Sequence, residues 1–121
     1  MAKKIMVIDD SASLRESVLD ALADAGYEVM GAADGKEALG MLDGRKVDLM
    51  ICDVHMPRMD GITFVREAKR LPDYRFVPII MLTTESSEKK REAGQMAGAK
   101  AWVVKPFRAE QILHAVSKLV S

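Results

Sequence analysis

The sequence is short of cysteine, of excess charge, of long apolar runs and of phosphate-loop glycines, and each shortage removes a class of function. A single cysteine, Cys52, excludes an internal disulfide and suits a reducing cytoplasm. The 18 basic residues are matched by 18 acidic ones, so the chain lacks the charge bias of a nucleic-acid or anionic-membrane binder. Only Ile5 to Ile8 separate Lys4 from Asp9, too little for a signal-peptide core. No stretch approaches the ~18 apolar residues of a membrane span. After the first apolar run stands Asp9-Asp10-Ser11 in place of a glycine-rich loop, which disfavours nucleotide binding. Histidine and cysteine form no cluster, so His55 is a poor candidate for a metal-binding imidazole.

What remains is the composition of a folded domain: 121 residues, 49% hydrophobic and 30% charged, enough for one full core. Apolar runs at Ile5–Ile8, Tyr27–Ala32, Leu49–Cys52, Pro78–Leu82 and Ala101–Val104 read as short strands. Leu49–Cys52, bounded by Asp48 and Asp53, is uniform enough to be buried on both faces. Helical spacing fills the gaps. Ser13 and Glu16 have the form of a capping box before Leu14, Val18, Ala21, Leu22 and Ala25, with Gly26 ending that helix. Asp34 and Glu37 open a second helix, which buries Ala38, Leu39, Met41 and Leu42. Asp60 caps a third, which buries Phe64, Val65 and Ala68 and stops before Pro72. Residues 85–100 form a thinner helix with Ala93, Met96 and Ala97 to bury and Gly94 inside it. Ile112, Leu113, Val116, Leu119 and Val120 mark the last. Strand and helix alternate five times without a linker or repeat, which predicts an α/β fold: a doubly wound, five-stranded parallel sheet with right-handed crossovers.

Parallel strands present their carboxyl ends to one edge, where open α/β sheets place their chemistry. The residues there are Asp9 and Asp10, Asp53, Thr83 and Lys105. A strand-end aspartate alone is often only a turn former or a helix cap. Three carboxylates together repel unless a cation joins them, and an all-oxygen ligand set selects Mg²⁺ or a similar ion over zinc. An aspartate can also attack phosphorus, with Lys105, Thr83 and the metal stabilising the phosphoryl oxygens.

The set of Asp9-Asp10, Asp53 followed by Met56-Pro57 and Asp60-Gly61, Thr83, and Lys105-Pro106-Phe107 resembles a response-regulator receiver domain of the single-domain chemotaxis type, over the whole chain. The resemblance implies a flavodoxin-like (βα)5 sheet in the order 2-1-3-4-5. It implies Asp53 as phosphoacceptor and a sensor histidine kinase as donor. Mg²⁺ would be held by Asp10, Asp53 and the backbone carbonyl of His55, with Asp9 acting mainly through water. A cis Lys105–Pro106 bond would bring the lysine to the site.

Thr83 and Trp102 are then the switch pair. Relatives more often carry tyrosine or phenylalanine at the Trp102 position, and strand alternation puts Trp102 on the face opposite Lys105. Thr84 stands where a smaller residue is common and would narrow access to Asp53. His55 and Glu85 would tune the lifetime of the acyl phosphate.

The chain ends within one residue of its last apolar helical position, so residues 1–121 are read as a single receiver domain without an output domain. Its output is then contact with another protein, through the thin helix, the fifth strand and the last helix. The flagellar motor switch is the first choice of partner. A histidine phosphotransfer protein in a phosphorelay is the alternative, and a phosphatase could join either. The chain is expected to be a monomer and not an enzyme beyond its own phosphorylation and dephosphorylation. An aspartate-nucleophile phosphohydrolase would need a second acid where His55 stands. A receiver fold used only for docking would not need the full set of acids, threonine and lysine.

Overall fold

The computed structural model describes residues 2–84 and 88–120, and for residues 88–91 the backbone alone. β1 (Lys4–Ile8) leads into α1 (Ala12–Asp24), β2 (Glu28–Ala32) into α2 (Gly35–Met41), and β3 (Leu49–Asp53) into α3 (Gly61–Arg70). A 3-10 turn at Pro72–Tyr74 precedes β4 (Ile79–Thr83), followed by α4 (Glu88–Ala97), β5 (Ala101–Val104) and α5 (Ala109–Leu119). Every ladder is parallel and the order is β2-β1-β3-β4-β5, the flavodoxin-like arrangement expected.

The two-residue period of the strands sorts the core into two layers. Met6, Ile8, Met50, Cys52, Ile79 and Met81 face one way, in a cluster with Ala38 of α2 and Phe64, Val65 and Ala68 of α3. Ile5, Val7, Leu49, Ile51, Ile80 and Leu82 face the other, with Val18 and Leu22 of α1 and Ile112 and Val116 of α5. Burying each large aliphatic side chain contributes about 1.5–3 kcal/mol, so the two layers are the main stabilising term. β3 is buried along its whole length, as its uniform apolar run predicts.

Helix caps set where the loops at the functional edge begin. Asp34 and Asp60 cap α2 and α3 as predicted, their Oδ1 atoms accepting the N–H of Glu37 (2.9 Å) and Thr63 (2.8 Å). The start of α1 differs. Ser11, not Ser13, is the cap, and its Oγ accepts the Leu14 N–H at 3.3 Å. The Asp9 carboxylate accepts the Ser11 N–H at 2.9 Å and so fixes the cap two residues earlier than the Ser13–Glu16 pair suggests.

α4 also corrects the sequence reading. Met96 is 88% exposed instead of buried. The inward side of the helix is marked by Gly94 and Ala97, and Met96 lies two residues, about 200°, around from Gly94. Gly94 is a close approach and not merely a weak point: a Cβ there would come within 2.5 Å of Trp102 Cζ3.

Candidate functional site

The carboxyl edge of the sheet gathers the acids from two strand ends. Asp9 and Asp10 follow β1, and Asp53 closes β3, whose register places Cys52 beside Ile8. Asp9 and Asp53 are almost fully buried, Asp10 is exposed, and one carboxylate oxygen from each lies within 4.8 Å of the others. Lys105 follows β5. Its N–H donates to the Thr83 carbonyl at 2.7 Å, and the Lys105–Pro106 peptide bond is cis. Its Nζ sits 3.4 Å from Asp9 Oδ2 and 3.3 Å from Asp53 Oδ1. The ammonium therefore bridges the two buried carboxylates, Asp9 and Asp53.

Burial, and then the nearby Asp9 and Asp10 charges, push the Asp53 carboxyl above its ordinary pKa of 3.8, and Lys105 offsets this only in part. Burial, with Asp53, Asp9 and Asp60 beyond, raises the Cys52 thiol well above its ordinary value, so it is an inert core group. The uncompensated negative charge and the all-oxygen donor set fit a hard divalent cation such as Mg²⁺.

The loop after β3 is closed tightly. The Gly61 N–H donates to the Val54 carbonyl at 2.8 Å, and a Cβ on Gly61 would overlap the Asp53 carbonyl oxygen. Only glycine lets the start of α3 come this near the end of β3.

The remaining candidates are spread around this centre. Thr83 is fully buried at the end of β4, and Thr84 beside it is exposed. The His55 side chain is exposed two residues beyond Asp53. Glu85 lies outside the described residues. Trp102 is not among the acids. It pairs in register with Met81, packs on the core layer that holds Phe64 and stacks on Gly94, and its Nε1 is buried without a hydrogen-bond partner among the described residues.

The geometry adds residues that the sequence reading did not single out. Arg15 Nη1 donates to the Asp9 carbonyl at 2.6 Å, and Arg58 pairs with Asp34. Neither belongs to a local pattern, since both contacts join separate elements.

Residues 5–117 match the response regulator receiver domain. The chain belongs to the response-regulator receiver family. A receiver is a signalling switch in a two-component system, coupled to a histidine kinase and a downstream target. Among curated proteins, this receiver is 38% identical to response regulator MprA of Mycobacterium bovis and of Mycobacterium tuberculosis, over 99% of its own length and 51% of theirs. It thus spans about half the length of those relatives. Among solved structures, chemotaxis protein CheY4 of Vibrio cholerae shares 43% identity at a TM-score of 0.95, with 99% of this chain and 100% of that one covered. The receiver domain of sensor histidine kinase PA1611 from Pseudomonas aeruginosa, solved with a magnesium ion in its active-site cleft, is 26% identical at a TM-score of 0.89, with 98% of each chain covered. No helix among the described residues is long and apolar enough to cross a membrane.

Proposed function

We propose that the protein is a phosphorylation-activated switch in which Asp53 accepts a phosphoryl group from a sensor histidine kinase. The observation that carries this reading is the Asp53 carboxylate at the carboxyl edge of the sheet, with Asp9 and Asp10 on one side and the Lys105 ammonium 3.3 Å away. An Asp53 oxygen attacks phosphorus in line, the P–N bond of a phosphohistidine breaks, and its electron pair leaves on the imidazole nitrogen. Asp10, Asp53 and the His55 carbonyl would hold Mg²⁺ directly and Asp9 through water, and the ion would supply charge neutralisation for the phosphoryl oxygens. Lys105 and the Thr83 hydroxyl take two of those oxygens. Thr84, exposed beside Thr83, would narrow access of water to Asp53, and His55 and Glu85 are the residues proposed to tune the lifetime of the acyl phosphate.

Phosphorylation adds about −1.5 to −2 charges at this edge. Movement of Thr83 toward them opens space behind β4, and Trp102 responds. The partner that reads this change is a protein, and the flagellar motor switch is favoured by the likeness to the chemotaxis protein CheY4 over the full length of both chains. The working state is a cytoplasmic monomer that catalyses only its own phosphorylation and, with a phosphatase where present, its dephosphorylation.

The test is incubation with Mg²⁺ and a small acyl phosphate. Wild type takes up one label and Asp53→Asn takes up none; equal label in the variant overturns the assignment. Capture of a motor-switch protein by the phosphoryl-mimic form supports the chemotaxis output. Transfer of label to a histidine phosphotransfer protein would support the relay.

A further inference from the structure

Resting on the assignment of the His55 carbonyl as a metal ligand, we infer that Asp34 and Arg58 form a clamp that positions the loop between β3 and α3 for the cation. Residues 54–60 run from the reactive Asp53 to the cap of α3 and contain His55. At the middle of this loop Arg58 has φ of 64°, a left-handed conformation that glycine or asparagine adopts more easily than arginine. A long side chain held in such a conformation is a sign that the side chain is used.

Its use is visible. Arg58 Nε and Nη2 both reach Asp34 Oδ2, at 2.9 and 2.6 Å. The other oxygen of Asp34 accepts the Glu37 N–H as the cap of α2. One aspartate thus ties the start of α2 to the loop that follows the phosphoacceptor. The Asp34 side chain is only 9% exposed and the Arg58 side chain 58% exposed, so the carboxylate is shielded while the guanidinium stays in water. It is the two-nitrogen geometry and the tie to the α2 cap, more than desolvation, that make the contact a restraint.

A second contact fixes the same register. Met59 lies against Gly35, where a Cβ would meet Met59 Cγ and Sδ at 3.1 Å. The loop is therefore closed on itself by Gly61 and Val54 and pinned sideways to α2 at Arg58 and Met59. A carbonyl ligand has no side-chain freedom, so its aim is set entirely by the backbone on either side. Partners that orient a ligand in this way typically contribute 10–100-fold to metal affinity.

Arg58 and Asp34 are positioning residues; neither need touch phosphate or metal. The test uses Asp34→Asn, which keeps a good helix cap but removes the charge. It adds Arg58→Gly, which removes the guanidinium while suiting the left-handed backbone, and the double variant. Two quantities are read on the intact chain: Mg²⁺ affinity by calorimetry, and amide hydrogen exchange of residues 54–60 without metal. Each single change is expected to weaken Mg²⁺ about tenfold and to speed exchange in the loop, with α1 and α5 unaffected. The double variant should be no worse than either single, because both remove one interaction.

Wild-type affinity and exchange in the single variants overturn the clamp, and so do additive losses in the double. If the wild type binds no Mg²⁺ while loop exchange still rises in the variants, the metal-site assignment fails and with it the role in aiming a ligand. The loop restraint itself would then stand.

Discussion

Every residue of β3 is buried, whereas β5, at the edge of the same sheet, has none that is fully buried. The acid proposed to react sits at the end of the first; the aromatic proposed to respond sits in the second. Around Asp53 the chain is closed by the approach of Gly61, by the Arg58–Asp34 pair and by helix caps at Asp34 and Asp60. Trp102 is only half-buried on an edge strand, and its indole lies against Gly94 of α4, a position with no side chain. Chemistry needs groups held within a fraction of an ångström, and signalling needs an element with another arrangement nearby in energy. The two sides of one sheet divide those requirements.

The division can be broken most severely at Gly61. In Gly61→Ala the added methyl meets the Asp53 carbonyl oxygen and the Val54 backbone, neither of which can turn aside. A loss of about 3 kcal/mol, at the upper end for overpacking, is expected in urea unfolding. A loss below about 1 kcal/mol would show that the end of β3 is less fixed than its burial suggests.

The same change at Gly94 tests the other side. Gly94→Ala also drives a methyl into a neighbour, but here it is the ring of a half-buried tryptophan. The cost should be about 1–2 kcal/mol and should disappear when Trp102→Phe is added. In the Trp102→Phe background, Gly94→Ala should stabilise by roughly 0.5–1 kcal/mol, the ordinary helical advantage of alanine over glycine. A penalty that persists without the indole would deny the pairing of these two positions.

Most of the fold was legible because it depends on local period and on residues with one dominant meaning. Uniform burial of Leu49–Cys52, the apolar run of β1, caps at Asp34 and Asp60, and the five strand–helix units all follow from such signals. The acids and Lys105 were legible too, since parallel strands bring their ends to one edge whatever the side chains are. The contacts that refine the site were not. The cap of α1 moved to Ser11 because Asp9 holds its backbone. Met96 turned outward because α4 presents Gly94 to the indole instead. Arg58 gave no signal, since its partner is 24 residues away. For Met96 and Arg58 the deciding atom belongs to another element, and for Ser11 it is a carboxylate two residues back whose contact competes with the Ser13–Glu16 pattern.

The smallest expected effect concerns the charge held at the end of β3. Burial and the Asp9 and Asp10 charges raise the Asp53 pKa in the folded state, so the folded chain keeps that proton to higher pH than the unfolded chain does. Unfolding therefore releases a proton in the window that opens at the ordinary value of 3.8 and extends upward. Stability conferred by this group is greatest below that window and falls as pH rises through it. Removing the carboxylate as Asp53→Asn should stabilise the metal-free protein at pH 7 by about 1 kcal/mol, a gain of the size seen when a strained functional site is relieved. The gain should shrink as pH approaches 4. Saturating Mg²⁺ should reverse the order, because a ligand at 100 times its dissociation constant stabilises only the form that binds it, by about 2.7 kcal/mol. Thermal melts of both proteins at pH 4 and 7, with and without Mg²⁺, measure all of this. An Asp53→Asn variant no more stable than wild type at pH 7 without metal would mean that Lys105 already neutralises the acids, and that the buried end of β3 carries no electrostatic strain for a cation to relieve.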